Sequence, residues 1–216
     1  MKYNDKLVTG KGSETTTTRI RRRKGTGKRT VKTSLIIGRF QPFHKGHLEL
    51  VRQVLKESDK LIIVIGSSQY NYIFKDPFTA GERIEMIHDT LVYEGIDLSR
   101  IHIIPLSNIE NNSMWLAYLQ SMTPKFNVIY SGNEFVSTLA SDSSGYSKKS
   151  DLNLEVRKPI FNKKQMYNGE NIRNLIISGK KWQHLVPKQV IDVIERIDGV
   201  KRIRVISRTD SNPQKW

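Results

Sequence analysis

Cysteine is absent from all 216 residues. That removes disulfides, zinc–thiolate sites, iron–sulfur clusters and thiol nucleophiles from the available chemistry. It also suits a cytoplasmic address. Long apolar runs are missing too. The longest, such as LIIVIG (61–66), are strand-sized and far short of a bilayer span, so no membrane partner is expected. No charged segment followed by an apolar stretch opens the chain, and a secretory signal is not expected. Acidic residues are scarce, 21 against 36 Lys and Arg, giving a net charge of +15. Residues 1–33 hold 11 Lys/Arg and 2 Asp/Glu, a net +9, which leaves +6 for residues 34–216. The excess is therefore largely a tail. A modestly positive body suits a protein that handles polyanionic phosphates, because positive clefts focus such ligands.

The tail, with TTTTRIRRRKGTGKRT at its centre, carries neither helical nor strand periodicity and is expected to be a disordered basic arm over 1–33. Nucleic acid is a partner expected, if at all, through this arm only. From Ser34 the pattern changes. Strands are expected at 34–38, 60–66, 100–106, 127–132 and, more weakly, 152–157. Their near-continuous Ile, Val and Leu suit parallel strands covered on both faces. Helices are expected at about 45–57, 80–94, 112–121 and 133–140, then at 169–178 and 187–198, with Gly179 and Gly199 as stop residues. Thr79-Ala-Gly-Glu82 reads as a capping box. This alternation predicts a doubly wound, five-stranded parallel α/β sheet of Rossmann-like type over 34–216, with a C-terminal helical segment from about 168. Ligands of such sheets bind beyond the carboxyl ends of the strands, at the topological switch point.

At the carboxyl end of the first strand stands GRFQPFHKGH (38–47). Gly38 permits close approach to the backbone, and Pro42 stops the strand. His44-Lys45-Gly46-His47 then enters a helix whose free N–H groups form an anion site. His44 and His47, three residues apart, can share one face, and Arg39 adds a permanent charge. The residues alone leave three readings open: a nucleotide-phosphate site, a zinc site, or two histidines that merely cap a helix. Zinc would need a third ligand from His88, His102, His184 or a carboxylate, none at a recognisable spacing. The convergence of donors favours phosphate.

The His44-Lys45-Gly46-His47 run resembles the His-x-Gly-His signature of the nucleotidyltransferase superfamily, which is related to class I aminoacyl-tRNA synthetases. The longer GRFQPFHKGHLELV (38–51), with DPFTAGERIEMI (76–87), NNSMWLAYL (111–119), YSGN (130–133) and GKKWQHLVPKQVIDVI (179–194), resembles one branch, the archaeal-type nicotinamide-mononucleotide adenylyltransferases. The five blocks run in unbroken order over about 34–200. The resemblance implies joining of ATP and nicotinamide mononucleotide into NAD and pyrophosphate, by direct in-line attack with no covalent enzyme intermediate. It implies catalytic roles for His44, His47, Arg39 and Arg173, and ATP contacts at Gly38, Phe40, Gly46, Ser131, Asn133 and Asn168. Trp115 would stack on the pyridine ring, with Asn112 and Asn108 beside it as acceptor-binding residues. Mg2+ would ride mainly on ATP phosphates, with no dedicated protein metal site. The resemblance also implies a homo-oligomer, hexamers being common.

Two positions depart from the family pattern. Asn168-Gly169-Glu170 stands where Ser-Gly-Thr or Ser-Ser-Thr is usual, which replaces a phosphate-binding hydroxyl by a carboxylate and predicts weaker ATP binding. Asn108 stands where an acidic residue is common. Ser67 and Ser68 are further candidate phosphate donors, and Arg83 is expected either at the site or paired with a carboxylate. The polar stretch 141–151 reads as a solvated loop or a lid. Rival functions are a sister transferase with phosphopantetheine, FMN or a cytidylyl substrate, and a non-catalytic nucleotide sensor with a nucleic-acid-binding arm. A class I synthetase is disfavoured, since no Lys-Met-Ser-Lys-Ser-like loop is present.

Overall fold

The structure, a computed structural model, describes residues 31–142, 154–160 and 167–208, apart from the side chains of 141 and 142. Residues 1–30 of the expected arm and nearly all of the polar stretch 141–151 lie outside the described residues. Five strands form one sheet: β1 (Thr33–Gly38), β2 (Lys60–Ile65), β3 (Ile101–Pro105), β4 (Val128–Tyr130) and β5 (Glu155–Arg157). Their order is β3-β2-β1-β4-β5, and every pairing is parallel. The chain winds outward through β2 and β3, then returns to the other side of β1. The switch point therefore lies between β1 and β4, beside the ends marked by Gly38 and Tyr130.

Both faces of the sheet are covered, and this is why the strands read as unbroken apolar runs. Ile36, Leu61, Ile63 and Ile65 pack with α1 (Lys45–Glu57), α2 (Ala80–Tyr93), α5 (Gly169–Ile177), α6 (Lys188–Arg196) and α7 (Gly199–Ile206). Leu35, Ile62, Val64 and Ile129 face the other way, against Leu116 and Leu119 of α3 (Trp115–Met122) and Val136 of α4 (Glu134–Asp142). Strand alternation of period two thus feeds two cores.

The elements follow the sequence reading closely, with two differences. The expected third helix begins as a one-turn 3-10 segment (Asn112–Met114) before α3 proper. Gly199 does not stop a helix. Asp198 takes the left-handed conformation instead (φ 54°), and Gly199 opens α7, an element the sequence did not suggest. A Cβ on Gly199 would lie 3.1 Å from the Ile194 side chain, the Ile194 carbonyl oxygen and the Phe78 ring, so a larger residue would press on packed neighbours there. Gly179, by contrast, has φ 67° and follows α5 as expected.

α7 has a visible task. Arg202 bonds both carboxylate oxygens of Glu82 at 2.7 and 2.9 Å, and Glu82 is also the capping partner of Thr79. The C-terminal helix thereby pins the start of α2. From α2, buried Arg83 donates to the backbone carbonyls of Thr79, Arg39, Gly66 and Ser67. Arg83 is accordingly neither a cavity residue nor held by a hydrogen-bonded carboxylate. Its donors tie α2 to the chain leaving β1 and β2.

Candidate active site

The loop from β1 to α1 is built around Phe40, whose left-handed backbone (φ 52°) turns its ring back over Gly38. A Cβ on Gly38 would meet that ring at 3.1 Å. Gln41 then clamps the loop to the segment before α2. Its side-chain amide donates to the Phe78 carbonyl and its side-chain oxygen accepts from the Phe78 N–H, both at 2.9 Å. Its own carbonyl accepts Arg173 Nη1 at 2.7 Å, across 132 residues of sequence. Two glycines let α5 and its preceding residue approach the loop. A Cβ on Gly169 would stand 2.9 Å from the Gln41 carbonyl oxygen, and one on Gly46 would stand 2.8 Å from Tyr167 Cβ.

His44 and His47 cap α1 together. His44 Nδ1 accepts the His47 N–H and His47 Nδ1 accepts the His44 N–H, each at 3.3 Å. Their rings stack at 3.5 Å between centroids, and the Phe40 ring meets His47 edge-on at 4.7 Å. Burial pushes His44 down to about 4 from an ordinary 6.5. Burial, and secondarily the neighbouring His44, holds His47 well below that ordinary value. Both rings are therefore neutral near pH 7. With Nδ1 accepting, the proton sits on Nε2, so each ring retains one N–H donor.

A cavity of about 390 Å3 is lined by these rings together with Arg39, Gly46, Asn168 and Arg173. Phe40, Gln41, Tyr167 and Gly169 complete its protein wall, with the carboxylates of Glu49 and Glu170. Asn168 caps α5, accepting the Glu170 N–H at 2.8 Å. Arg173 is buried. Its Nε has no hydrogen-bond partner, and burial followed by the charge of Arg39 weakens its hold on its proton.

A second cavity, about 430 Å3, lies beyond the carboxyl ends of β1 to β4, walled by residues of α3 and α4. Gly38, Asn108, Asn112, Trp115, Ser131 and Asn133 line it, with Ser67 and Tyr118. Among the described residues Arg39 alone lines both cavities, and its side chain is 41% exposed. The candidates from sequence thus divide. Phe40, His44, Gly46, His47, Asn168 and Arg173 gather in the first cavity, whereas Gly38, Ser131 and Asn133 gather with the acceptor candidates in the second. Ser67 reaches the second cavity and donates to Asn108 Oδ1 at 3.3 Å. Ser68 lines neither, its hydroxyl paired with Ser107 at 3.3 Å.

A cytidylyltransferase-like family profile matches residues 35–170. Nicotinamide-nucleotide adenylyltransferase from Pyrobaculum aerophilum is 46% identical over 188 residues, covering 86% of this chain and 100% of the relative. The chain belongs to the nicotinamide-nucleotide adenylyltransferase family. The Methanococcus maripaludis (strain C6) member is 44% identical, over 82% of this chain and 96% of its own. Among solved structures, a bifunctional NMN adenylyltransferase/ADP ribose pyrophosphatase from Francisella tularensis, complexed with AMP and a manganese ion, aligns with a TM-score of 0.59 at 21% identity. It covers 82% of this chain, which spans 52% of that longer protein, and the likeness is one of fold. No helix among the described residues is long and apolar enough to cross a membrane.

Gln41, Glu49 and Tyr167 line the first cavity of this adenylyltransferase-family site without having been singled out as candidates from the sequence, and Asp76 stands behind it, beside Arg39. Tyr167 precedes Asn168, the α5 cap, and its adjacency to that candidate was the one signal the sequence offered for it. Asp76 is buried beside Arg39, with Arg39 Nη1 3.7 Å from its Oδ1. Burial pushes its carboxyl up, against the pull of Arg39, Arg83 and Arg173.

Proposed function

We infer that the chain transfers the adenylyl group of ATP to nicotinamide mononucleotide, forming NAD and pyrophosphate. The observation that carries this reading is the pair of neutral, mutually capped imidazoles in a cavity that also holds Arg39 and Arg173, at the switch point of the sheet. The polyphosphate of ATP lies in that cavity and the mononucleotide in the second. Arg39 stands where the two reacting phosphates meet. An oxygen of the mononucleotide 5′-phosphate attacks the α-phosphorus in line. The new P–O bond forms as the bond to the β-phosphate bridging oxygen breaks, and pyrophosphate leaves.

His44 and His47 each present Nε2–H to oxygens on which charge grows, and Arg173 neutralises the leaving group. This is catalysis by positioning and electrostatics, which phosphoryl-type transfers require above all. The rings do not need to lose or gain a proton, so their neutrality at pH 7 costs nothing. Trp115 stacks on the pyridine ring, and the Asn108 and Asn112 amides contact its substituent.

Among the described residues no three His, Cys, Asp or Glu gather as a metal cage. Glu49 and Glu170 are the carboxylates that would meet a magnesium ion carried on ATP, directly or through water. When bound, that ion shields phosphate charge and helps pyrophosphate depart. The cytoplasmic address and homo-oligomeric assembly belong to the same reading.

The test is pyrophosphate release in the presence of ATP and magnesium with a panel of acceptors. Release that depends on nicotinamide mononucleotide, with none from phosphopantetheine, FMN or CTP with a phosphorylated alcohol, supports the reading. Release driven by another acceptor overturns it.

A further inference from the structure

Asp76 is a carboxylate held among three guanidinium charges without a hydrogen bond to any of them. It ends the tight turn Ile73–Asp76, closed by the Asp76 N–H donating to the Ile73 carbonyl at 3.0 Å. It is 3% exposed, and its Oδ1 has no hydrogen-bond partner. Arg83 has its donors on backbone carbonyls. Arg173 is fixed by Gln41 and lies over the Phe74 ring at 5.4 Å. Arg39 is the remaining partner: at 3.7 Å it is ion-paired but not hydrogen-bonded, and it is exposed enough to move. Asp76 itself lines neither cavity, so it meets a ligand only through Arg39.

A buried charge is retained against its desolvation only where opposite charge compensates it. Here the compensation is loose, shared among Arg39, Arg83, Arg173 and the neighbouring Lys75, and the first of these is the residue shared by both cavities. We propose that Asp76 is the positioning counterion of Arg39, holding it between the two cavities in the free protein and competing with phosphate for it when ligand arrives. Two consequences follow. The carboxylate keeps Arg39 at the junction where the reacting phosphates meet, and it limits how tightly the first cavity holds an anion, which favours release of pyrophosphate. The second consequence concerns pyrophosphate alone. The first rests on the adenylyl-transfer reading.

The test is Asp76→Asn, which keeps the volume and removes the charge. Binding of magnesium pyrophosphate is measured by calorimetry, alongside kcat and KM for ATP and nicotinamide mononucleotide. Pyrophosphate is expected to bind about five- to tenfold more tightly, since a nearby negative charge has gone. Turnover is expected to fall about tenfold as Arg39 loses its station. In an Arg39→Gln background the same substitution is expected to leave kcat unchanged, because Asp76 acts through Arg39. Pyrophosphate affinity and kcat within twofold of wild type, with only the melting temperature lowered, would reduce Asp76 to a structural counter-charge and overturn the proposal. An equal loss of kcat in both backgrounds would also overturn it.

Should the Asn variant not fold, NMR of the wild type decides. Pyrophosphate is expected to shift the Arg39 guanidinium and the Asp76 carboxyl carbon together, and a stationary Asp76 carboxyl contradicts the proposal. The pyrophosphate arm needs no acceptor. Its failure is therefore distinct from failure of nicotinamide mononucleotide as substrate.

Discussion

His44 and His47 each accept the other's backbone N–H through Nδ1 at 3.3 Å, with their rings stacked 3.5 Å apart. The cap and the phosphate donor are thus one device. Capping fixes the tautomer, and the tautomer aims Nε2–H away from the backbone. The two roles separate by substitution. His44→Asn keeps a short polar side chain able to cap, so its stability is expected to stay close to wild type. His47→Ala removes the reciprocal partner and is expected to cost about 1 kcal/mol. Both are expected to lose activity by about 10²- to 10³-fold, the scale of one transition-state donor. Denaturant melts and initial rates on the same preparations check this.

Acid is expected to destabilise the fold through these rings. Below the ordinary value of 6.5 the unfolded chain protonates His44, whereas the folded chain does not until about 4. The unfolded state then binds more protons, so stability falls as pH drops through that window and is retained above it. Between pH 7 and 5.5 the loss from His44 is about 1 kcal/mol. Comparing melts of wild type and His44→Asn at the two pH values isolates it from groups such as Asp76. A wild type that loses no more stability than the variant contradicts the burial argument.

Gly46→Ala should reverse the usual gain from placing alanine in a helix. The added Cβ would stand 2.8 Å from Tyr167 Cβ, an atom too close to the backbone to step aside. A cost of about 1–3 kcal/mol is expected from the overpacking. A raised KM for ATP is also expected, because Tyr167 and Asn168 share the first cavity. An unchanged melting temperature would show that α5 is not seated on α1 as described.

The division into two cavities predicts a division of kinetic effects. Trp115→Ala is expected to raise KM for nicotinamide mononucleotide about tenfold or more, the scale of one base-sized ring stacked on an aromatic. KM for ATP is expected to stay within twofold. Arg39→Gln, at the junction, should instead lower kcat with either substrate saturating.

Much of this fold was legible in the chain because local and global signals agree. The strands are apolar throughout since both faces are covered, and Thr79-Ala-Gly-Glu82 declares the start of α2. α7 was hidden because Gly199 looks like a stop, while Asp198 takes the left-handed conformation in its place. The histidines and Arg39 were visible as a local cluster. Their partners were not, since Gln41 with Arg173 and Gly46 with Tyr167 meet only when α5 folds onto the β1–α1 loop. Nor could periodicity reveal that Asp76, between a lysine and a proline, is buried against Arg39. The separation of Ser131 and Asn133 from the histidine cavity is likewise tertiary: they share a cavity with residues of α3 and α4, whereas the histidines share theirs with residues of α5.

The most direct measurement is the rate of NAD formation from ATP, magnesium and nicotinamide mononucleotide, read through alcohol dehydrogenase, for wild type and His47→Ala. NAD made by the wild type, and a rate reduced by about 10²-fold or more in the variant, is the predicted result. Absence of NAD from a folded, ATP-binding wild type, or equal rates in the two proteins, would contradict it.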